Sequence, residues 1–155
     1  MFTFRPPPPL DFDLTLQRYH LWGVDPANVY HERALYRVAR VNSAGVPFRL
    51  TAAGSPRQPR VTVTFLGADS PWTRAAVMGE ARQLLGAGAD LAGFYAQASR
   101  DPVLASLLGP LYGLRPTVAP DAFEMLVGAI SAQQVNLPFA FATRMALRTI
   151  PKSAT

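Results

Sequence analysis

Apolar positions recur at two different periods along this chain, and the changes of period mark its elements. Between Val29 and Leu66 the repeat is two: Ala34, Tyr36 and Val38 share one face, a turn falls at Asn42 to Gly45, Phe48, Leu50 and Ala52 follow, and Val61, Val63 and Phe65 close the run. Alternation of this kind predicts strands, and the short connections between them predict an antiparallel meander. Ser55 to Pro59 carries two prolines, which suit a hairpin loop rather than a central strand. Met1 to Arg5 reads as a further short strand. Pro6 to Pro9 have no backbone N–H to donate and form an extended spacer, either a stiff connector or a ligand for a proline-binding module.

Elsewhere the period lengthens to that of a helix. Asp11 or Asp13 caps a predicted helix carrying Leu14, Leu16, Tyr19, Leu21 and Trp22 and ending at Gly23. Ser70, with Pro71 at the first helical position, opens a helix that runs through Leu85 to Gly86. Shorter helices are predicted at Asp90 to Ala98 and Asp101 to Leu108, before the connection Pro116 to Pro120. Then comes PDAFEMLVGAISAQQVNLPFAFATRMAL, Pro120 to Leu147, which encodes two amphipathic helices across a very short polar elbow. Asp121 can cap the first, and Glu124 can reach back to complete a capping box. Phe123, Leu126, Val127 and Ile130 fall at i, i+3, i+4 and i+7, an apolar stripe about 100° wide that calls for burial. Ser131, Gln133, Gln134 and Asn136 crowd the elbow, and Asn136 can cap a second helix in which Leu137, Phe141 and Met145 repeat every four residues. Pro151 ends that helix near Ile150.

Composition narrows the function classes. With 155 residues and 49% hydrophobic content, the chain can build a sizeable core. Cysteine is absent, which removes disulfides and thiolate metal sites. No apolar run approaches the ~20 residues that a spanning helix needs. No signal-type segment is recognisable at the start, so a cytoplasmic location is expected. The net charge of +5 is unevenly placed: Arg33, Arg37, Arg40, Arg49, Arg57 and Arg60 face only Glu32 in their interval. Such a basic sheet is either a phosphate-facing surface or a solvated face in an arginine-biased sequence. His20 and His31 are the two histidines, without partners in a metal arrangement, and no Gly-x-Ser-x-Gly, dinucleotide or Walker pattern occurs. No metal or cofactor is expected.

The pattern AFExLVxAIxxQQV at the elbow resembles the helix pair that opens the catalytic domain of the helix-hairpin-helix DNA glycosylases, specifically the 3-methyladenine DNA glycosylase II family. The short strand, Pro-rich connection, helix after "DFD", sheet-forming stretch and "LGPLYGLRP" follow in that family's order. The likeness spans nearly the whole chain but only the N-terminal half of the family's length. It implies an α+β fold in which an N-terminal antiparallel sheet with packed helices, residues 1–112, precedes the first helices of an incomplete all-α helix-hairpin-helix domain, residues 113–155. It also implies double-stranded DNA as partner and alkylated purine bases as substrate.

In this family the residue between the motif's first glutamine and its valine braces the gap left by the extruded nucleotide. That place is Gln134, with Gln133, Asn136 and Ser131 as further candidate DNA contacts; the alternative is that these polar groups tie the two helix ends together. Tyr19 and Trp22 are the candidates for an aromatic wall of the base pocket, or else core residues. The family cleaves the glycosidic bond with an aspartate beyond a glycine-rich hairpin, yet here no aspartate follows Asp121 and no glycine follows Gly128. No catalytic residue is therefore assigned, and the chain alone is expected to be inactive. A derived non-catalytic DNA-binding or protein-interaction module is the alternative. An isolated helix pair leaves Phe123, Leu126, Val127 and Ile130 without neighbours, so packing back on the sheet domain, self-association, or a missing C-terminal half is expected to cover them.

Overall fold

The computed structural model describes residues 1–21, 25, 27–67, 69–133, 135, 136, 138–140 and 142. Five strands, β1 (Phe2–Phe4), β2 (Asn28–His31), β3 (Ala34–Val41), β4 (Ala44–Ala53) and β5 (Arg60–Phe65), form one antiparallel sheet in the order β1-β5-β4-β3-β2. The expected meander is thus present. Two-residue hairpins join β2 to β3 at Glu32–Arg33 and β3 to β4 at Asn42–Ser43. All four turn residues have φ between 48° and 67°, the primed-turn geometry that matches strand twist.

The meander buries the opposite face of β3 from the one its apolar residues suggest. Ala34, Tyr36 and Val38 do share a face, but Val38 is 58% exposed, whereas Leu35, Arg37 and Ala39 point inward. Leu35 joins Phe48, Leu50, Val61 and Val63 in the core. Helix α3 (Pro71–Leu84) covers this inner face with Val77, Ala81 and Leu84. Ser70 caps α3 in a reciprocal box with Thr73, and Gly86, at φ 59°, terminates it.

The N-terminal helix is broken in two, α1 (Phe12–Leu16) and α2 (Arg18–Leu21), with Asp11 as the cap of α1. Asp13 is not a second cap: its carboxylate pairs with Arg33 and accepts from the Tyr30 hydroxyl. Gly23, the expected terminator, lies outside the described residues. Beyond α3, α4 (Leu91–Ala98) and α5 (Pro102–Leu108) begin at Asp90 and Asp101 as their caps require.

Arg115, 2% exposed, then pins the connection to the rest of the fold. Its guanidinium donates to the carbonyls of Gly86 (3.0 Å), Ala89 (2.6 Å), Pro7 (3.3 Å) and Pro9 (3.0 Å). The Pro-rich spacer, which has no N–H groups of its own, contributes here as an acceptor. Gly113 makes the approach feasible, because a Cβ there would lie 2.6 Å from the Asp11 nitrogen.

Helix α6 (Ala122–Ser131) follows, capped by Asp121. Its apolar stripe is not buried. Phe123, Leu126 and Ile130 are 75%, 53% and 59% exposed, so packing back on the sheet domain does not occur. The side turned inward carries Glu124, Val127, Gly128 and Ser131 instead, all half-buried. No helix among the described residues is long and apolar enough to cross a membrane.

Candidate nucleic-acid interface

What sets the orientation of α6 is a charge, not its apolar stripe. Glu124 does not close a capping box. Its Oε2 accepts from Arg37 Nη2 at 2.9 Å and its Oε1 from Nη1 at 3.2 Å, a two-pronged contact between the sheet and the helix. Arg37 is 6% exposed and also donates Nε–H to Glu80 of α3 (2.8 Å) and Nη1–H to Asn28 of β2 (2.9 Å). Asn28 in turn donates to Asp25 (3.1 Å). Burial pulls the Arg37 guanidinium down from its ordinary pKa, but its hydrogen bonds to Glu124 and Glu80 outweigh it and leave the net shift upward. Arg37 therefore stays charged at the junction of three elements. It is not a free phosphate ligand, contrary to the expectation for the basic interval.

That junction aims the elbow at solvent. Gln133 and Asn136 are exposed and Ser131 is half-buried. Asn136 caps the next helical turn, its Oδ1 accepting from Phe139 N at 2.9 Å, and the Ser131 hydroxyl donates back to Gly128 O at 3.2 Å. These two therefore also hold the backbone of the bend, while the Gln133 side chain projects outward. Gln134, Trp22, Leu137, Phe141 and Met145 lie outside the described residues.

Behind the elbow is a cleft of about 320 Å³. Gly128, Ala129 and Ala132 form one wall and Tyr19, Arg18 and Asn28 the other. Small residues on α6 leave the space open. Tyr19 packs its ring partly against the core, and its phenol pKa is raised because burial disfavours the phenolate. Arg18 sits over the Tyr19 ring at 5.5 Å and donates to Thr117 Oγ1 at 2.6 Å. A larger cleft of about 970 Å³, walled mainly by leucines of α4, α5 and the following turn, opens on the other side of Tyr19. Arg18, adjacent to Tyr19 on the same short helix, lines both clefts beside it. Among the described residues no group of three or more His, Cys, Asp or Glu is placed to hold a metal ion.

Over 88 residues the chain is 33% identical to the DNA-3-methyladenine glycosylase of Bacillus subtilis (strain 168), which covers 55% of this chain and 29% of that protein. The fold superposes on a 3-methyladenine DNA-glycosylase from Archaeoglobus fulgidus with a TM-score of 0.78 and 18% identity, over 93% of this chain and 48% of that one. Part of this chain thus resembles a DNA-3-methyladenine glycosylase in sequence, and nearly all of it shares the fold of one. No protein-family model matches it. The chain spans less than half the length of either glycosylase, a coverage that fits their N-terminal half.

Proposed function

We propose that this chain forms the DNA-bracing elbow and one wall of the damaged-base pocket of a base-excision DNA glycosylase acting on alkylated purines. The observation that carries the reading is the juxtaposition of a solvent-directed amide elbow with a cleft whose far wall bears Tyr19. Extruding a base leaves an unpaired partner, and a glutamine amide both donates and accepts, so Gln133 and Gln134 suit the orphaned base edge. Tyr19, a neutral phenol at physiological pH, lines that cleft and offers a π-face to a flipped purine. Residues 113–155 are the start of the helical glycosylase domain in this reading. Bond cleavage belongs to a hairpin and aspartate that these 155 residues do not contain, so the chain alone binds DNA without excising the base.

The test is a duplex carrying an alkylated purine beside 2-aminopurine, whose fluorescence rises on unstacking. Wild-type chain should raise it, and Gln133→Ala with Gln134→Ala should abolish the rise while leaving the fold intact. Binding without unstacking by the wild type would favour the non-catalytic DNA-binding module instead.

A further inference from the structure

The six arginines of the sheet interval divide into two sets. Arg33 pairs with Asp13, Arg37 is buried between Glu80 and Glu124, and Arg57 stacks 5.9 Å over the Tyr112 ring. Arg40, Arg49 and Arg60 form no ion pair among the described residues, and all three stand on the outer face of the sheet, opposite the one that α3 covers. Register fixes their layout. Arg60 lies opposite Ala53 and Arg40 opposite Gly45, with Arg49 midway between those two positions on β4. At ~3.4 Å per residue and ~4.8 Å between strands, they form a diagonal with steps of about 14 Å and a length of about 29 Å.

Further observations bear on this face. None of the five strands contains an aspartate or glutamate. Of the carboxylates at its margins, Asp69 is held by Arg74 and the N-terminus and Glu32 by His31. Arg5 follows Phe4, whose partner is Val61, so register brings Arg5 beside Arg60, a like-charge neighbour pair that disfavours the free sheet. The Arg49 Nε–H is buried and has no hydrogen-bond partner. Thr51, Thr62 and Thr64 supply hydroxyls between the arginines.

We propose that this outer face is a second nucleic-acid surface, which takes the phosphate backbone of duplex DNA along the Arg60–Arg49–Arg40 diagonal. Duplex DNA presents a phosphate charge every ~1.7 Å, so a line of about 29 Å meets a continuous rail of anions, and hydroxyls between arginines are the usual further phosphate donors. That the polymer is duplex DNA rests on the proposed repair role; that the face accepts a phosphate backbone rests on the strands alone.

The experiment is fluorescence anisotropy of the chain with an undamaged 20-base-pair duplex across a range of sodium chloride. Arg40→Gln with Arg60→Gln, both at exposed positions, should reduce the slope of log affinity against log salt by about 2 and weaken binding roughly tenfold at low salt. Arg49→Gln added to these should lower the slope by about one more. An unchanged slope in a variant whose thermal unfolding matches the wild type would overturn the proposal, as would tighter binding to phosphatidylserine vesicles than to the duplex. Gln133→Ala with Gln134→Ala should keep the full salt slope and lose only the unstacking signal. Failure of the elbow reading is thereby distinguishable from failure of this one.

Discussion

Arg37 and Glu124 are 87 residues apart in the chain and share a two-pronged hydrogen-bonded ion pair that ties the first helix after the linker to β3. Because the Arg37 side chain is 4% exposed, removing either partner leaves a poorly solvated charge. Arg37→Met strands both Glu80 and Glu124 and should cost about 3–5 kcal/mol. Glu124→Gln, which leaves Glu80 on the guanidinium, should cost about 2 kcal/mol. Urea unfolding measures both. Hydrogen exchange separates the local effect: in the Glu124→Gln protein, amides of Leu126 to Ile130 should exchange faster by a larger factor than those of β4. Uniform acceleration in both elements would show that the pair supports global stability and does not seat α6.

Arg115 is the other long-range tie, and its partners are carbonyls. Burial lowers the pKa of its guanidinium, and the oxygens of Gly86, Ala89, Pro7 and Pro9 take up its donors. Arg115→Met should remove that donor from the Ala89, Pro7 and Pro9 carbonyls, while Gly86 keeps the Ala89 N–H, and destabilise the chain by roughly 3 kcal/mol. Arg115→Lys restores the charge without the planar fork and should recover less than half of the loss. Full recovery by lysine in a denaturant titration would mean that the positive charge, not the fork geometry, does the holding.

What was legible in the sequence and what was not follows from how far each determinant reaches. Ser70, Asp90, Asp101 and Asp121 marked their helices correctly because a cap acts over three residues. Glu124 misled for the same reason: its position fits a capping box, and only the sheet brings Arg37 within reach. The outward face of β3 is apolar from Ala34 through Tyr36 to Val38 and meets a charge only at Arg40, while the inward face is interrupted midway by Arg37. A pattern rule chooses the unbroken apolar face, but a charge matched by two carboxylates is stable inside. The stripe on α6 is apolar as its period indicates, and of the covers expected for it the sheet domain is not the one, since periodicity reports that a face is apolar and not what covers it.

Alkaline solution should weaken the fold through Tyr30. Burial raises its phenol pKa well above the ordinary value near 10, and donation of its hydroxyl to the Asp13 carboxylate raises it further. Below pH ~10 both folded and unfolded chains hold the proton, so this preference for the folded state is fully present. Above pH ~10 the unfolded chain releases the proton first, and stability falls as the pH climbs toward the folded-state value. Tyr19, also raised by burial, adds in the same direction. Unfolding free energies measured from pH 8 to pH 11 should therefore decline, and Tyr30→Phe should make the decline shallower. Parallel curves for the two proteins would remove Tyr30 from the account.

The exposed stripe on α6 makes the last prediction, about what the chain does in solution. Phe123, Leu126 and Ile130 lie on one side of a helix whose other side is already committed to the sheet through Glu124. Substituting charges there removes apolar surface from water without disturbing a packed contact. Phe123→Glu with Ile130→Glu should thus change unfolding free energy by no more than about 0.5 kcal/mol per site, the range for surface positions. A second apolar surface, whether another copy or a separately supplied helical segment, would bury these side chains at ~25 cal/mol per Å² of apolar area. Sedimentation velocity over a hundredfold concentration range should show association of the wild-type chain that the double variant abolishes. A wild-type monomer at every concentration would leave the stripe to a different polypeptide, and adding the remaining half of a glycosylase relative should then produce a complex that the double variant fails to form.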